Sequence, residues 1–110
     1  MLKILAICSR NKKRSPTAEK MYANDQRVLV RSVGTSPSAK RKITQADIQW
    51  ADVLLCMEKK HLHLIQQQFN ALILPKVVVL DIPDEYEFME PELMTMIERE
   101  IEEIVVNAGT

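Results

Sequence analysis

Cys8 and Arg14 stand six positions apart, with Ser15 directly after the arginine and a polar, basic run between them, Cys8-Ser9-Arg10-Asn11-Lys12-Lys13-Arg14-Ser15. These residue types at this spacing suit covalent chemistry on an oxyanion. A thiolate is a strong nucleophile, and a nearby guanidinium and the positive end of a helix both favour that form over the thiol. An arginine six residues on can fold back across a short loop and grip two phosphate oxygens in fork geometry, which a lysine cannot imitate. Backbone N–H groups of a curled loop complete an anion cradle. The phosphate-binding stretch is then Ser9, Arg10, Asn11, Lys12, Lys13 and Arg14.

Such a loop needs a rigid strand before it and a helix after it. Leu2 to Ile7 is apolar apart from Lys3, as expected of a strand buried on both faces of a parallel sheet. Ser15-Pro16 reads as a helix start, with Ser15 as N-cap and Pro16 at the first helical position, and the helix is expected to reach about Asn24. Val28 to Val33 is β-branched and predicts a second strand, followed by a loop over Gly34 to Ser38. Thr44 with Asp47 three positions on has the capping-box pattern and opens a short helix through Trp50. Strands are expected over Asp52 to Met57 and Lys76 to Leu80, with a helix from Lys59 to about Phe69 between them. An acidic, aromatic loop from Asp81 to Glu90 leads to a last helix starting at Pro91, whose apolar positions Leu93, Met94, Ile97, Ile101, Ile104 and Val105 recur at three- and four-residue spacing. Strand and helix alternate throughout. The expectation is an α/β fold, a three-layer α/β/α sandwich around a four-stranded parallel sheet with right-handed crossovers. Ligands of such folds bind at the carboxyl ends of the strands, near the topological switch point.

The chain of 110 residues is the size of one domain spanning 1–110, expected to bury roughly two thirds of its unfolded surface. It has no run of about 18 apolar residues to cross a bilayer and no signal-peptide core, so a cytoplasmic protein without a membrane partner is expected. Two cysteines are too few for a disulfide scaffold, and no Cys/His spacing matches a zinc site, so no metal or other cofactor is expected. His61 and His63 fall on different faces of a helix and read as surface residues; Trp50 and the methionines read as core filler, and Cys56 as a packed thiol. The formal charge is zero, but unevenly built. Residues 1–60 carry 13 Lys/Arg against 5 Asp/Glu, a net +8, and residues 61–110 carry 2 against 10, a net −8. Either the first half meets an anionic partner, or basic and acidic surfaces face water on opposite sides. In the first case positive potential concentrates at Arg10, Lys12, Lys13 and Arg14.

Cys8 to Glu19, C-S-R-N-K-K-R-S-P-T-A-E, resembles the phosphate-binding loop and first helix of the low-molecular-weight protein tyrosine phosphatases, whose pattern is C-x5-R-S followed by P-x-A-E. Ser32-Val33-Gly34-Thr35 resembles the family's S-A-G-T, and Ala39 to Thr44 its H-x-A-R-x-I-T stretch. Asp52 to Glu58 resembles the strand that ends in M-D. The resemblance covers most of the chain, which is shorter than usual for the family between Thr35 and Ile43, and so points to a compact, phosphatase-like branch. It implies a phosphatase I, flavodoxin-like fold and a metal-independent hydrolase working through a phosphocysteine intermediate. By position, Cys8 would be the nucleophile, Arg14 the phosphate clamp and Ser15 the hydroxyl that stabilises the thiolate. Asn11 would hold the loop's strained turn, and Ser32 would hydrogen-bond the loop from the next strand. The family usually has Gly where this chain has Arg10, and small or apolar residues where it has Lys12 and Lys13.

A leaving oxygen needs a proton as its bond to phosphorus breaks, and a positioned aspartate can give it and then activate water. The family's acid comes from a D-P-Y motif, where this chain has Asp81-Ile82-Pro83-Asp84-Glu85-Tyr86. Asp84, two residues before Tyr86, is the expected acid, with Asp81 as alternative. Tyr86 and Phe88 either flank an aromatic substrate or dock the loop on the core. The expected partner is a phosphorylated substrate, a phosphotyrosine protein or small aryl phosphate. Competing readings are a catalytically weak phosphate-binding regulatory module, a thiol-dependent arsenate reductase with only Cys56 to resolve an adduct, and a phosphocarrier, which gives no reason for Arg14 or the Asp84 loop. Nucleic-acid binding has no RNA-binding motif or aromatic-basic interleaving behind it.

Overall fold

The computed structural model describes residues 1–108 of the chain. Its elements run β1 (Leu2–Cys8), α1 (Arg14–Met21), β2 (Val28–Gly34), α2 (Gln45–Trp50), β3 (Val53–Cys56), α3 (Lys59–Gln68), β4 (Lys76–Val79) and α4 (Pro91–Ala108). The alternation read from the sequence is the one observed, and all strand pairs are parallel, in the order β2-β1-β3-β4.

Alternate residues of a strand face opposite sides of a sheet, and here both sides are covered. Ile4, Ala6 and Cys8 of β1 and Val53 and Leu55 of β3 pack with Ala18 and Tyr22 against Leu93, Ile97, Ile101 and Ile104 of α4. Leu5, Ile7, Leu54 and Cys56 pack on the other side with Ile48 of α2 and Ile65 of α3. Of the stripe that the spacing predicted on α4, Leu93, Ile97, Ile101 and Ile104 are buried, and Met94 and Val105 flank them half-buried. No helix among the described residues is long and apolar enough to cross a membrane.

The direction in which strands are added to the sheet reverses between β1 and β3, since β2 lies to one side of β1 while β3 and β4 lie to the other. Cys8 ends β1 at this switch point, in register with Gly34 of β2. The following residues therefore emerge in the crevice where doubly wound folds bind ligands.

Helix α1 begins two residues before its predicted start. Lys13 is the N-cap and makes no side-chain cap, and the first helical bond runs from Thr17 N to Lys13 O at 3.1 Å. Pro16 still falls in the first turn, where its missing N–H costs nothing. Ser15 is thereby inside the helix, and its hydroxyl is free for another task.

Candidate active site

The segment after Cys8 curls because β2 and the turn behind it grip its carbonyls. Thr35 N donates to Cys8 O at 3.0 Å, Ser36 N to Ser9 O at 2.9 Å and Lys40 N to Arg10 O at 3.0 Å. No cis peptide occurs among the described residues. In a trans peptide, the C=O of one residue and the N–H of the next point in opposite directions. With three successive carbonyls held outward, the N–H groups of Ser9, Arg10 and Asn11 turn toward the concave side, which is the geometry of an anion nest. Asn11 makes the sharpest bend at φ 58°, a left-handed conformation that asparagine tolerates. Arg10 is not among the positive-φ residues. Its backbone has no need of glycine, and its side chain reaches the rim of the cavity.

That cavity has a volume of about 80 Å³ and is lined by Cys8, Arg10, Lys12, Lys13, Arg14 and Asp84. At its base, Cys8 Sγ lies 3.0 Å from Ser15 Oγ. Asn11 Nδ2 donates to the same oxygen at 3.0 Å, and Val33 O lies 3.2 Å from it. Because Ser15 has one hydroxyl proton, that proton goes to Val33 O while Cys8 is a thiol, and can swing to sulfur when Cys8 ionises.

Arg14 is 2% exposed, and so large a buried cation requires a counter-charge. Its Nη1 donates to Glu58 Oε1, just after β3, and to Ile82 O at 2.8 Å, while its Nε lies 3.8 Å from Asp84 Oδ1. Burial pushes the Glu58 carboxyl up, but the Arg14 hydrogen bond and charge outweigh it and hold Glu58 below the usual carboxylate range. The loop before α4 is tied to the cradle at further points. Lys13 Nζ pairs with Glu87 Oε1 at 3.3 Å, and Met89 N donates to Thr17 Oγ1 at 3.0 Å. Asp84, 58% exposed, faces the cavity, whereas Asp81 sits in a separate depression with Glu58, Lys59, Lys60 and Pro83.

The expected side-chain roles divide. Ser9 and Asn11 are part of the loop, but their side chains leave the cavity for His61 and Ser15, so their contribution to an anion is the backbone. Ser32 is buried and its N–H donates to Glu19 Oε1 at 2.7 Å; β2 supports the loop through Val33 O and the turn beyond it, and no hydrogen bond joins the Ser32 side chain to the loop. Tyr86 packs against the α4 core and Phe88 is exposed, and neither lines the cavity. Trp50 is half-buried, with the Arg31 guanidinium 4.1 Å above its ring. Cys56 is fully buried on the sheet face opposite to Cys8, and burial pushes its thiol up to about 12.

His61 corrects the surface assignment: it is 0% exposed. Its Nε2 lies 2.9 Å from Ser9 Oγ, and its Nδ1 accepts from Glu58 N at 3.0 Å. Burial, with the nearby Arg14 charge, pushes its pKa down from 6.5 to about 4. The unfolded chain therefore takes up a proton below about pH 6.5 that the folded chain refuses until about pH 4. Stability present above that window is lost as pH falls through it, by up to about 3 kcal/mol. Melting temperatures recorded from pH 7.5 to 4.5 should fall more steeply for the native chain than for His61→Gln, and parallel curves would contradict this.

A parallel β2-β1-β3-β4 sheet with an anion loop at the end of β1 is the fold of the low molecular weight protein tyrosine phosphatases. The similar solved structures include the YwlE arginine phosphatase of Geobacillus stearothermophilus, 23% identical, with a TM-score of 0.70 over 97% of this chain and 95% of that one. The tyrosine phosphatase Wzb of Escherichia coli K30, in complex with phosphate, is 21% identical, with a TM-score of 0.72 over 97% and 99% of the two chains. The low molecular weight protein tyrosine phosphatase of T. tengcongensis is 20% identical, with a TM-score of 0.72 over 94% and 99%. No family model matches the sequence, and no curated protein matches it.

Proposed function

We propose that the protein is a cysteine-dependent phosphatase that hydrolyses phosphomonoesters through a phosphocysteine on Cys8. The observation that carries this reading is the meeting of Cys8, Arg14 and Asp84 around one small cavity. The phosphoryl group sits in the loop, its oxygens taken by the inward N–H groups and Arg14. Cys8 thiolate attacks phosphorus, and the ester P–O bond breaks as Asp84 gives its proton to the leaving oxygen. Water then attacks the phosphocysteine and loses its proton to Asp84, and the S–P bond breaks to return a thiolate that Ser15 stabilises. The fold's similarity to tyrosine phosphatases and to an arginine phosphatase supports phosphotyrosine as the substrate group, or phosphoarginine, a phosphoramidate whose P–N bond would break in place of P–O with the proton going to the leaving nitrogen. The cations of the lining grip the phosphate itself, leaving the choice of carrier to the mouth.

Free phosphotyrosine is the informative probe, because its phenol, with a pKa of about 10, leaves poorly without a proton. Asp84→Asn should lower kcat about 10²- to 10⁴-fold, and Asp81→Asn by less than about threefold. The reverse ranking would move the acid to Asp81. Comparing the unmodified chain on phosphotyrosine and phosphoarginine ranks the two carriers.

A further inference from the structure

Two hydrogen-bonding groups of the site, the Glu58 N–H and the Ser9 hydroxyl, meet on one imidazole that the phosphatase chemistry above does not use. Nδ1 of His61 faces the backbone N–H of Glu58 at 3.0 Å. An amide N–H can only donate, so Nδ1 is the acceptor, and the neutral ring carries its hydrogen on Nε2. That nitrogen is 2.9 Å from Ser9 Oγ and donates to it. Ser9 directly follows the nucleophile, and its N–H is the first of the cradle donors. Glu58 in turn holds Arg14 through Oε1. The ring is fully buried and rigid, so the separation of its two nitrogens sets the spacing between the cradle's first peptide and the residue that anchors the clamp.

We propose that His61 is a positioning residue for oxyanion binding, which holds Ser9 and the Arg14 anchor Glu58 in register through the two nitrogens of one neutral ring. The proposal rests on the phosphatase reading for its consequence in turnover, but its core is a statement about anion binding. The bond to Ser9 aims the N–H groups that meet the phosphate, and the bond from Glu58 keeps the carboxylate under Arg14. Losing either leaves the fold's core intact and loosens the cradle. The groups whose charges bear on the ring are Arg14, Glu58, Lys60 and Asp84.

The test is a mutant cycle read by two assays on the full chain, calorimetric binding of inorganic phosphate and turnover of p-nitrophenyl phosphate. His61→Asn puts an amide oxygen near Nδ1 and keeps the Glu58 bond, but is too short to reach Ser9; Ser9→Ala removes the same bond from its other end. Each should weaken phosphate binding about fivefold to tenfold, the worth of one buried hydrogen bond, and raise KM more than it lowers kcat. The double variant should be no weaker than the poorer single, because both delete one interaction. His61→Gln, whose longer amide reaches Ser9 but gives up the Glu58 bond, keeps the Ser9 coupling, so adding Ser9→Ala to it should weaken phosphate binding further, whereas adding Ser9→Ala to His61→Asn should not. Losses that multiply in the His61→Asn double variant overturn the proposal, as do variants with lowered melting temperature but unchanged phosphate affinity and KM. A native chain that binds no phosphate also overturns it. A native chain that binds phosphate with this coupling but hydrolyses nothing supports the positioning role and removes the hydrolase reading instead.

Discussion

Cys8→Ser should abolish turnover of aryl phosphates, by at least about 10⁴-fold, while binding inorganic phosphate more tightly than the native chain. The two halves have different causes. A serine hydroxyl is ionised far less readily than a thiol, and the nearest side-chain oxygen, Ser15 Oγ at 3.0 Å, belongs to a hydroxyl that cannot act as a strong base. Asp84 lies beside Arg14 Nε, where it can serve a leaving group, and gives no replacement for an activated sulfur. Binding changes in the opposite direction because the attacking sulfur of the proposed mechanism is a thiolate, which repels a phosphate dianion as a neutral hydroxyl does not. The substitution is close to isosteric, and Ser15 can satisfy the new hydroxyl, so the variant should fold. Calorimetry with phosphate and a p-nitrophenyl phosphate assay on the same preparation check both halves. Turnover within tenfold of the native rate would remove Cys8 as nucleophile; weakened phosphate binding would mean that the sulfur is not facing the anion as a thiolate.

The elements that deliver this site were legible because their signals are local. The apolar run of β1, the β-branched run of β2 and the stripe on α4 each report burial through a period that a short window captures. The Cys8–Arg14 spacing was likewise readable, since one loop carries both groups. Long-range partners were a different matter. The expectation that Ser32 would brace the loop chose the right strand and the wrong group. The brace is Val33 O together with the backbone of Thr35, Ser36 and Lys40, and backbone acceptors and donors carry no residue-type signal. His61 and His63 read as surface residues because they fall on different faces of one helix, a test of spacing along that helix alone. The actual position of His61, three residues after the N-cap Glu58, is that of a capping box, and this pattern was the available signal. The other hydrogen-bond partner of His61, Ser9, lies 52 positions away, beyond any local signal. The charge asymmetry also acquires a geometric meaning. Lys13–Glu87, Arg14–Asp84 and Arg27–Glu102 each join the basic half to the acidic half, so part of the division is consumed in holding the two together. Arg10 and Lys12, at the cavity, take part in no ion pair described here, and they are the cations from which the expected attraction for an anion comes.

Gly34→Ala should damage both stability and anion binding, and its cause is space rather than backbone freedom, since Gly34 does not have a positive φ. A Cβ there would stand 2.5 Å from Ser9 O, 2.7 Å from Ala39 Cβ and 3.0 Å from Asn11 N. Two of these three contacts are backbone atoms of the cradle. Gly34 cannot retreat, because its N–H donates to Arg41 O at 2.8 Å and its carbonyl accepts from Ile43 N at 2.9 Å, while β2 keeps it in register with Cys8. The loop must move instead, and its movement breaks the bonds from Thr35 and Ser36 that turn the cradle N–H groups inward. Overpacking of this kind costs about 2–3 kcal/mol, which for a chain of this size lowers the melting temperature by about 10 °C or more. Phosphate affinity should fall further than the stability loss alone explains, since the variant that remains folded carries a misaimed loop. Adding Ala39→Gly separates the two effects. It removes the side-chain contact and leaves both backbone contacts, so the double variant should regain part of the melting temperature and little of the phosphate affinity. Full recovery of both in the double variant would place the crowding in the Ala39 turn and not in the cradle, and an unchanged melting temperature in Gly34→Ala would mean that the loop yields to a methyl group without resistance.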